Sequence, residues 1–212
     1  MSRSKKTKFS ASTLSSQIDF RAFLKNPTLK DDYLRLSQLK ILPGHFVNYN
    51  DFVEYDISSY LLQTGLHDMF SFESKHGYYP SLIYLFYTNL SYEDNNDNVL
   101  LIILVKGIEI KLTSKSLSHI LNILYHGLTL SEIEMTNEEV FFRIYLHGQG
   151  PPMTNNKLQP IPRLSGRIFA YNICFKTESY NYYSRDLASC VYAIIDGLEV
   201  NWAKIMFDTM VK

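Results

Sequence analysis

The sequence has few of the side chains that build covalent or metal frameworks. Only two cysteines, Cys174 and Cys190, occur in 212 residues, which predicts neither a disulfide framework nor a cysteine-rich zinc site. So few cysteines without a spacing pattern are typical of a reducing compartment. We therefore expect an intracellular protein, with nucleus and cytoplasm both open.

Long apolar runs are also missing. The longest, Val99 to Val105, is far shorter than the roughly 18 residues that a membrane-spanning helix needs. The start of the chain, MSRSKKTKFSASTLSS, has positive charges but no apolar stretch behind them, so it does not read as a secretory signal. We expect no membrane partner.

The chain has no net charge, with 21 Lys and Arg against 21 Asp and Glu. Four basic residues and no acid lie in residues 1–16, so the remainder carries a formal charge of −4. Duplex binding depends on clustered Lys and Arg that neutralise phosphates. A mildly acidic body argues against strong non-specific DNA binding, and residues 1–16 read as a disordered basic, Ser-rich tail.

Motifs of common enzyme classes are absent from the sequence. Gly148-Gln149-Gly150 is followed by two prolines and by no Gly-Lys-Ser/Thr, so no phosphate loop is predicted. No Gly-x-Ser-x-Gly elbow occurs. The six histidines are scattered without ligand spacing. The sequence thus predicts no catalytic residue, no metal site, no cofactor and no small-molecule ligand.

The clearest secondary-structure pattern in the sequence runs from Val99 to Leu124. An apolar run ending at Val105 and an alternating segment from Ile108 to Leu112 flank the turn pair Lys106-Gly107, the pattern of a β-hairpin. Thr113 or Ser114 is expected to cap the amphipathic helix that follows. Apolar residues at helical spacing recur before and after this stretch.

These patterns predict a mainly α fold, a single domain of about seven helices packed around one β-hairpin over residues 99–112. SYEDNNDN, residues 91–98, is interpreted as a polar turn. Thr136 to Glu139 has the spacing of a capping box. Residues 148–162, with four Pro and two Gly, are interpreted as a surface loop. The domain is expected over residues 17–212, with a possible truncation at its C-terminus.

Two groups of residues, one acidic and one basic and aromatic, also allow a functional interpretation. A two-metal nuclease needs carboxylates converging on cations about 3.5–4 Å apart. The candidates are Asp94, Asp97 and Glu109, with a further carboxylate from Asp186 or Asp196. A single-strand binder needs exposed rings interleaved with basic residues. The candidate nucleic-acid contacts are Arg163, Arg167, Lys176, Tyr180, Tyr182, Tyr183 and Arg185. Packing of these tyrosines onto the core is the alternative.

The order of motifs resembles the plant transposon protein domain, a family of retroelement-like reading frames in plant genomes. Two pieces carry the resemblance most specifically: Tyr79-Pro80 leading to Phe86-Tyr87-x-Asn89-Leu90, and Lys106-Gly107-Ile108-x-Ile110-x-Leu112. The resemblance covers roughly residues 29–211 and implies no catalytic residues. Its pattern residues are expected to determine the fold: Pro80, Phe86, Tyr87, Asn89, Gly107 and Leu112.

The function expected from residues and resemblance together is protein association by a non-catalytic helical domain of a mobile-element-derived protein. Self-assembly of the Gag type, or binding of another element-encoded protein, are its concrete forms. The alternatives left open are a nucleic-acid-binding protein, a metal-dependent transposase or nuclease, and a decayed remnant without a present function.

Overall fold

A computed structural model describes residues 23–41, 47–71, 78–95, 98–173 and 181–211. The predicted tail at residues 1–16 and the candidates Asp97, Lys176 and Tyr180 lie outside these ranges. Within them the helices are α1 (Lys30–Ser37), α2 (Ile57–Gln63), α3 (His67–Ser71), α4 (Pro80–Thr88), α5 (Ser114–Leu121), α6 (Glu138–Ile144), α7 (Pro160–Asn172), α8 (Arg185–Asp196) and α9 (Trp202–Val211). The strands are β1 (Ser91–Asn95), β2 (Asn98–Val105) and β3 (Ile108–Leu112). The fold is mainly α with one small sheet, as the sequence predicts.

The described residues group into two compact units. Unit 1 takes the described residues of 1–40, 79–93 and 100–111, and unit 2 takes those of 41–78, 94–99 and 112–212. The proline-rich segment 148–162 lies wholly inside unit 2, so the division into units does not fall there.

Unit 1 is built on the packing of α1 against α4. Leu24, Tyr33 and Leu85 form its buried cluster. Asn89, which ends α4, is buried and joins three segments, because its side-chain amide donates to the carbonyls of Phe23 and Leu104 while its oxygen accepts from the Lys25 N–H. Each bond replaces water around a buried polar group, so Asn89 determines the local fold, as expected.

Tyr87 departs from that expectation. The sequence pattern places it on the inward face of its helix, but half of its surface is exposed. The buried side chains of α4 are Leu85 and Thr88. Four successive large residues, Tyr84 to Tyr87, leave more than one helical face apolar, so periodicity alone does not select the buried one.

The β element is a three-stranded antiparallel sheet with strand order β1-β2-β3, and the prediction of a lone hairpin is therefore incomplete. Residues 91–95, interpreted above as a polar turn, form β1. Ser91 Oγ donates to the carbonyl of Ile102 and accepts from Lys25 Nζ. These tertiary bonds favour an extended segment that its Asp- and Asn-rich composition disfavours.

Unit 2 is organised around α8. Every residue from Leu187 to Ile195 is buried, and α7 packs along this helix. Ser184 accepts the Leu187 N–H and begins the helix, while Gly197 at φ 69° ends it, as its sequence signals predict. A helix buried on all sides forms the centre of a core rather than its surface.

Helix α6 begins differently from its prediction. The capping residue is Asn137, whose side chain accepts the Glu139 N–H, and not Thr136. The Asn137 N–H in turn donates to the Tyr192 hydroxyl on α8. Because Asn is at least as good an N-cap as Thr, this tertiary bond selects the start of the helix.

Candidate functional site

A cavity of about 610 Å³ lies in unit 2 beside the first turns of α7. It forms between the proline-rich segment, α7 and the residues that precede α8. The lining residues are Pro152, Thr154, Asn155, Asn156, Lys157, Arg163, Arg167, Asn181 and Tyr182. This volume lies within the range of small-molecule and nucleotide sites.

The proline-rich segment is held at its end nearest α7. The Leu146 N–H donates to the Lys157 carbonyl at 2.8 Å, and the Gln159 N–H donates to the Ile144 carbonyl at 2.9 Å. Pro160 then opens α7, where a missing N–H costs nothing. This wall of the cavity is therefore fixed by backbone bonds.

The same segment is also tied to the residues that precede α8. The Asn155 N–H donates to the Asn181 carbonyl at 3.1 Å, and the Tyr183 N–H donates to the Met153 carbonyl at 3.0 Å. Asn181 and Tyr182 are consequently placed opposite α7. Residues about 25 positions apart in the sequence thus share one cavity.

Three cationic side chains line the cavity. Lys157 Nζ donates to the Gly150 carbonyl at 3.0 Å, and one terminal nitrogen of Arg163 donates to the Leu158 carbonyl at 2.8 Å. Arg167 lies one helical turn further along the same helix and is exposed. Among the described residues, Lys157, Arg163 and Arg167 form no ion pair, and no carboxylate is part of the described lining. The described lining of the cavity is therefore electropositive.

The Arg163 guanidinium retains unused donor capacity. Its Nε–H is buried and has no acceptor within the described part of the chain. A buried donor without a partner costs free energy, and the cost is larger for a charged group. An anionic ligand at this guanidinium would supply the missing acceptor.

Two neighbouring tyrosines take opposite roles at this site. Tyr182 lines the cavity and is 63% exposed. The Tyr183 ring instead packs against Gly166 on α7, where any side chain larger than hydrogen would overlap it. Its hydroxyl lies 3.0 Å from Asn155 Oδ1 and 3.3 Å from the Arg163 carbonyl. Burial raises the pKa of Tyr183 to about 12, against the opposing effect of the Arg167 and Arg163 charges.

The candidate nucleic-acid contacts predicted from the sequence do not all lie at one site. One cavity is lined by Arg163, Arg167 and Tyr182. Tyr183 is not part of the described lining and instead packs against α7, with its hydroxyl near the Arg163 carbonyl. Arg185 is exposed at the first residue of α8 and is not part of the lining. Lys176 and Tyr180 lie outside the described residues. Lys157 also lines the cavity, and the sequence analysis did not name it as a candidate contact. The sequence indicates only that Lys157 lies in the Pro- and Asn-rich segment 148–162.

Among the described residues, the carboxylates considered for a two-metal site are not assembled into a ligand set. Within the described ranges no group of three or more His, Cys, Asp or Glu side chains is placed to hold a metal ion. Glu109 pairs with Lys111 on β3 at 3.5 Å. Asp196 accepts from Arg143, which also donates to the Ile195 carbonyl at the end of α8. These acids have structural partners.

A smaller cavity of about 240 Å³ lies between α2, α3 and the end of α5. Its polar side chains are His67, Asp68 and Asn122. His67 Nδ1 lies 3.1 Å from Asp68 Oδ1, and the His67 ring stacks on Tyr49. The remaining lining is Leu62, Gly65, Ile123 and Leu124. The polar groups of this described lining are bonded to one another, so the described lining offers no convergent chemistry.

Comparisons with known proteins leave the family open, because no family model, no curated protein and no solved structure matches this chain. No helix in the described ranges combines the length and the apolar character needed to span a membrane.

Proposed function

We propose that the chain is a non-catalytic binding domain whose basic cavity takes the phosphates and an unpaired base of single-stranded nucleic acid. The observation that carries this proposal is the joint lining of one cavity by Arg163, Arg167, Lys157 and the exposed ring of Tyr182. Cations that neutralise phosphates beside an aromatic ring that stacks on bases are the two components of single-strand sites.

The charge distribution favours a single strand over a duplex. The body of the chain carries a net negative charge, and the cations of the cavity form a local concave cluster rather than a basic face. A rigid duplex presents phosphates along an extended surface, whereas a single strand bends and inserts a base. The expected binding is modest in affinity and decreases steeply with salt.

The test is fluorescence anisotropy with a short labelled oligothymidylate at about 50 mM and about 200 mM salt. Arg167→Gln should weaken binding and lower the slope of log K against log salt by about 0.7, the contribution of one phosphate contact on a single strand. Tyr182→Ala should weaken binding by about 1–3 kcal/mol through the loss of one stacked base. Its effect should change little with salt.

Lys115→Gln is the matched control, since Lys115 is an exposed cation of unit 2 outside the cavity lining. Equal losses for Arg167→Gln and Lys115→Gln would show diffuse charge attraction and contradict a site. If Tyr182→Ala left binding unchanged, the proposed stacking of a base on Tyr182 would be wrong. Absence of binding at the lower salt would refute the function altogether.

The second candidate function is protein association, in the form of self-assembly or of binding another protein encoded by the same element. The observation that favours it is the number of large apolar side chains left at the surface, such as Phe142 at 78% and Ile108 at 67% exposure. Derivation from a plant mobile element is part of both proposals. Its support is the order of the sequence motifs around Pro80 and Gly107.

A further inference from the structure

Among the described residues, the outer edge of β3 is unpaired. β3 pairs with β2 on one side, and within the described residues no strand or bridge occupies its other side. All four residues from Ile108 to Lys111 are exposed, Ile110 at 39%. An unpaired strand edge with apolar side chains is a template for adding another strand.

The turn before β3 determines which backbone groups this edge presents. Lys106 and Gly107 both have positive φ, 50° and 79°, which defines a two-residue type I′ hairpin that pairs Val105 with Ile108. Since backbone groups alternate along a strand, those of Ile108 and Ile110 point toward β2. The N–H and C=O groups of Glu109 and Lys111 point outward.

These groups allow three antiparallel pairings of β3 with β3 of a second copy. Glu109 would lie opposite Glu109, Lys111 opposite Lys111, or Glu109 opposite Lys111. The first two place like charges directly across from each other, which is unfavourable. The third is centred on Ile110 and places opposite charges across from each other twice.

The apolar face agrees with the same register. Ile110 of one copy lies opposite Ile110 of the other as a non-hydrogen-bonded pair, in which side chains approach most closely. Ile108 lies diagonal to it, within reach of a long side chain. The pairing is related by a two-fold axis, so one strand supplies both halves of a self-complementary interface.

We infer that two copies of this chain associate through antiparallel pairing of β3 in the register centred on Ile110. The inference rests on the second proposed function, protein association, and assigns it a surface and a partner. Two hydrogen-bonded Glu109–Lys111 pairs select the register, and the exposed isoleucines become shielded from water. A single added strand makes a small interface, so the dimer belongs to the weak, reversible class.

The test is a charge-swap series measured by sedimentation velocity over a range of protein concentrations. Glu109→Lys and Lys111→Glu each turn both attractive pairs into repulsive ones, and each should raise the dimer dissociation constant roughly tenfold or more. Mixing these two variants restores both attractive pairs between unlike copies and should restore dimerisation. The double variant Glu109→Lys/Lys111→Glu should dimerise like the original chain, with its intrastrand pair retained.

Glu134→Lys, an exposed charge reversal in unit 2, should leave the dissociation constant unchanged. Loss in both single variants with recovery in the mixture supports the inference, and recovery also shows that the variants are folded. A dimer that none of these reversals changes would refute the β3 interface while keeping the association function. A chain that stays monomeric at all concentrations would refute both.

Discussion

At the scale of single residues, Tyr183 connects the candidate cavity to the stability of unit 2. Its ring packs on Gly166 and its hydroxyl bridges the proline-rich segment and α7. Because the folded state raises its pKa to about 12 from an ordinary value near 10, folding favours the protonated phenol. The stability that this group contributes is therefore complete below about pH 10 and is lost as the pH rises toward about 12.

Tyr183→Phe should accordingly lower the free energy of unfolding at neutral pH, with the difference from the original chain shrinking between about pH 10 and pH 12. Urea unfolding at a series of pH values measures both quantities. Tyr182→Phe is the control, since its ring is exposed beside the same backbone. A difference between Tyr183→Phe and the original chain that stays constant across this range would contradict the assignment.

The two arginines of the cavity were predictable and the roles of the two tyrosines were not. Arg163 and Arg167 are four residues apart on a helix whose start is signalled by prolines, so their shared face follows from helical geometry. Tyr182 and Tyr183 are identical and adjacent. Which of them is exposed depends on Gly166, a contact partner 17 positions away that no local pattern identifies.

At the scale of elements, helix α6 does not begin at the residue that its sequence motif predicts. Thr136 has the capping-box spacing, yet Asn137 makes the capping bond to the Glu139 N–H at 3.0 Å. Asn137→Ala should therefore lower the free energy of unfolding by about 1 kcal/mol, the usual cost of losing an N-cap. Thr136→Ala is the matched neighbour and should cost less than about 0.5 kcal/mol.

Thermal and urea unfolding of the two variants would measure this difference. Equal destabilisation by both would show that Thr136 contributes to the cap after all. A larger loss for Thr136→Ala would restore the interpretation made from the sequence.

Elements with local signals were predicted well, and those that depend on distant bonds were not. The turn at Lys106-Gly107, the Thr113 cap of α5 and the limits of α8 all follow from neighbouring residues. β1 was missed because its Asp and Asn content is typical of a turn, while its pairing with β2 and the bond from Lys25 are set by tertiary structure. A strand of this composition leaves no period-two apolar signal to detect.

At the scale of the whole molecule, Trp202 joins parts of unit 2 that are far apart in the chain. Its Nε1–H donates to the Thr64 carbonyl at 2.8 Å, across 138 positions. Its ring is fully buried and lies 5.3 Å from the ring of Phe169 on α7. Helical periodicity places Trp202 on an inward face with Ile205 and Met206, but it contains no information about a partner so distant.

This position gives the largest stability effect that we predict. Trp202→Phe removes the donor to the buried Thr64 carbonyl and leaves space where the indole packed, so the free energy of unfolding should fall by about 2–5 kcal/mol. Urea unfolding followed by far-ultraviolet circular dichroism is the measurement, because the variant lacks the only tryptophan. Phe142→Leu, at an exposed site of α6, should change the value by less than about 0.5 kcal/mol. If Trp202→Phe unfolded at the same urea concentration as Phe142→Leu, the bond to Thr64 would not hold these distant segments together.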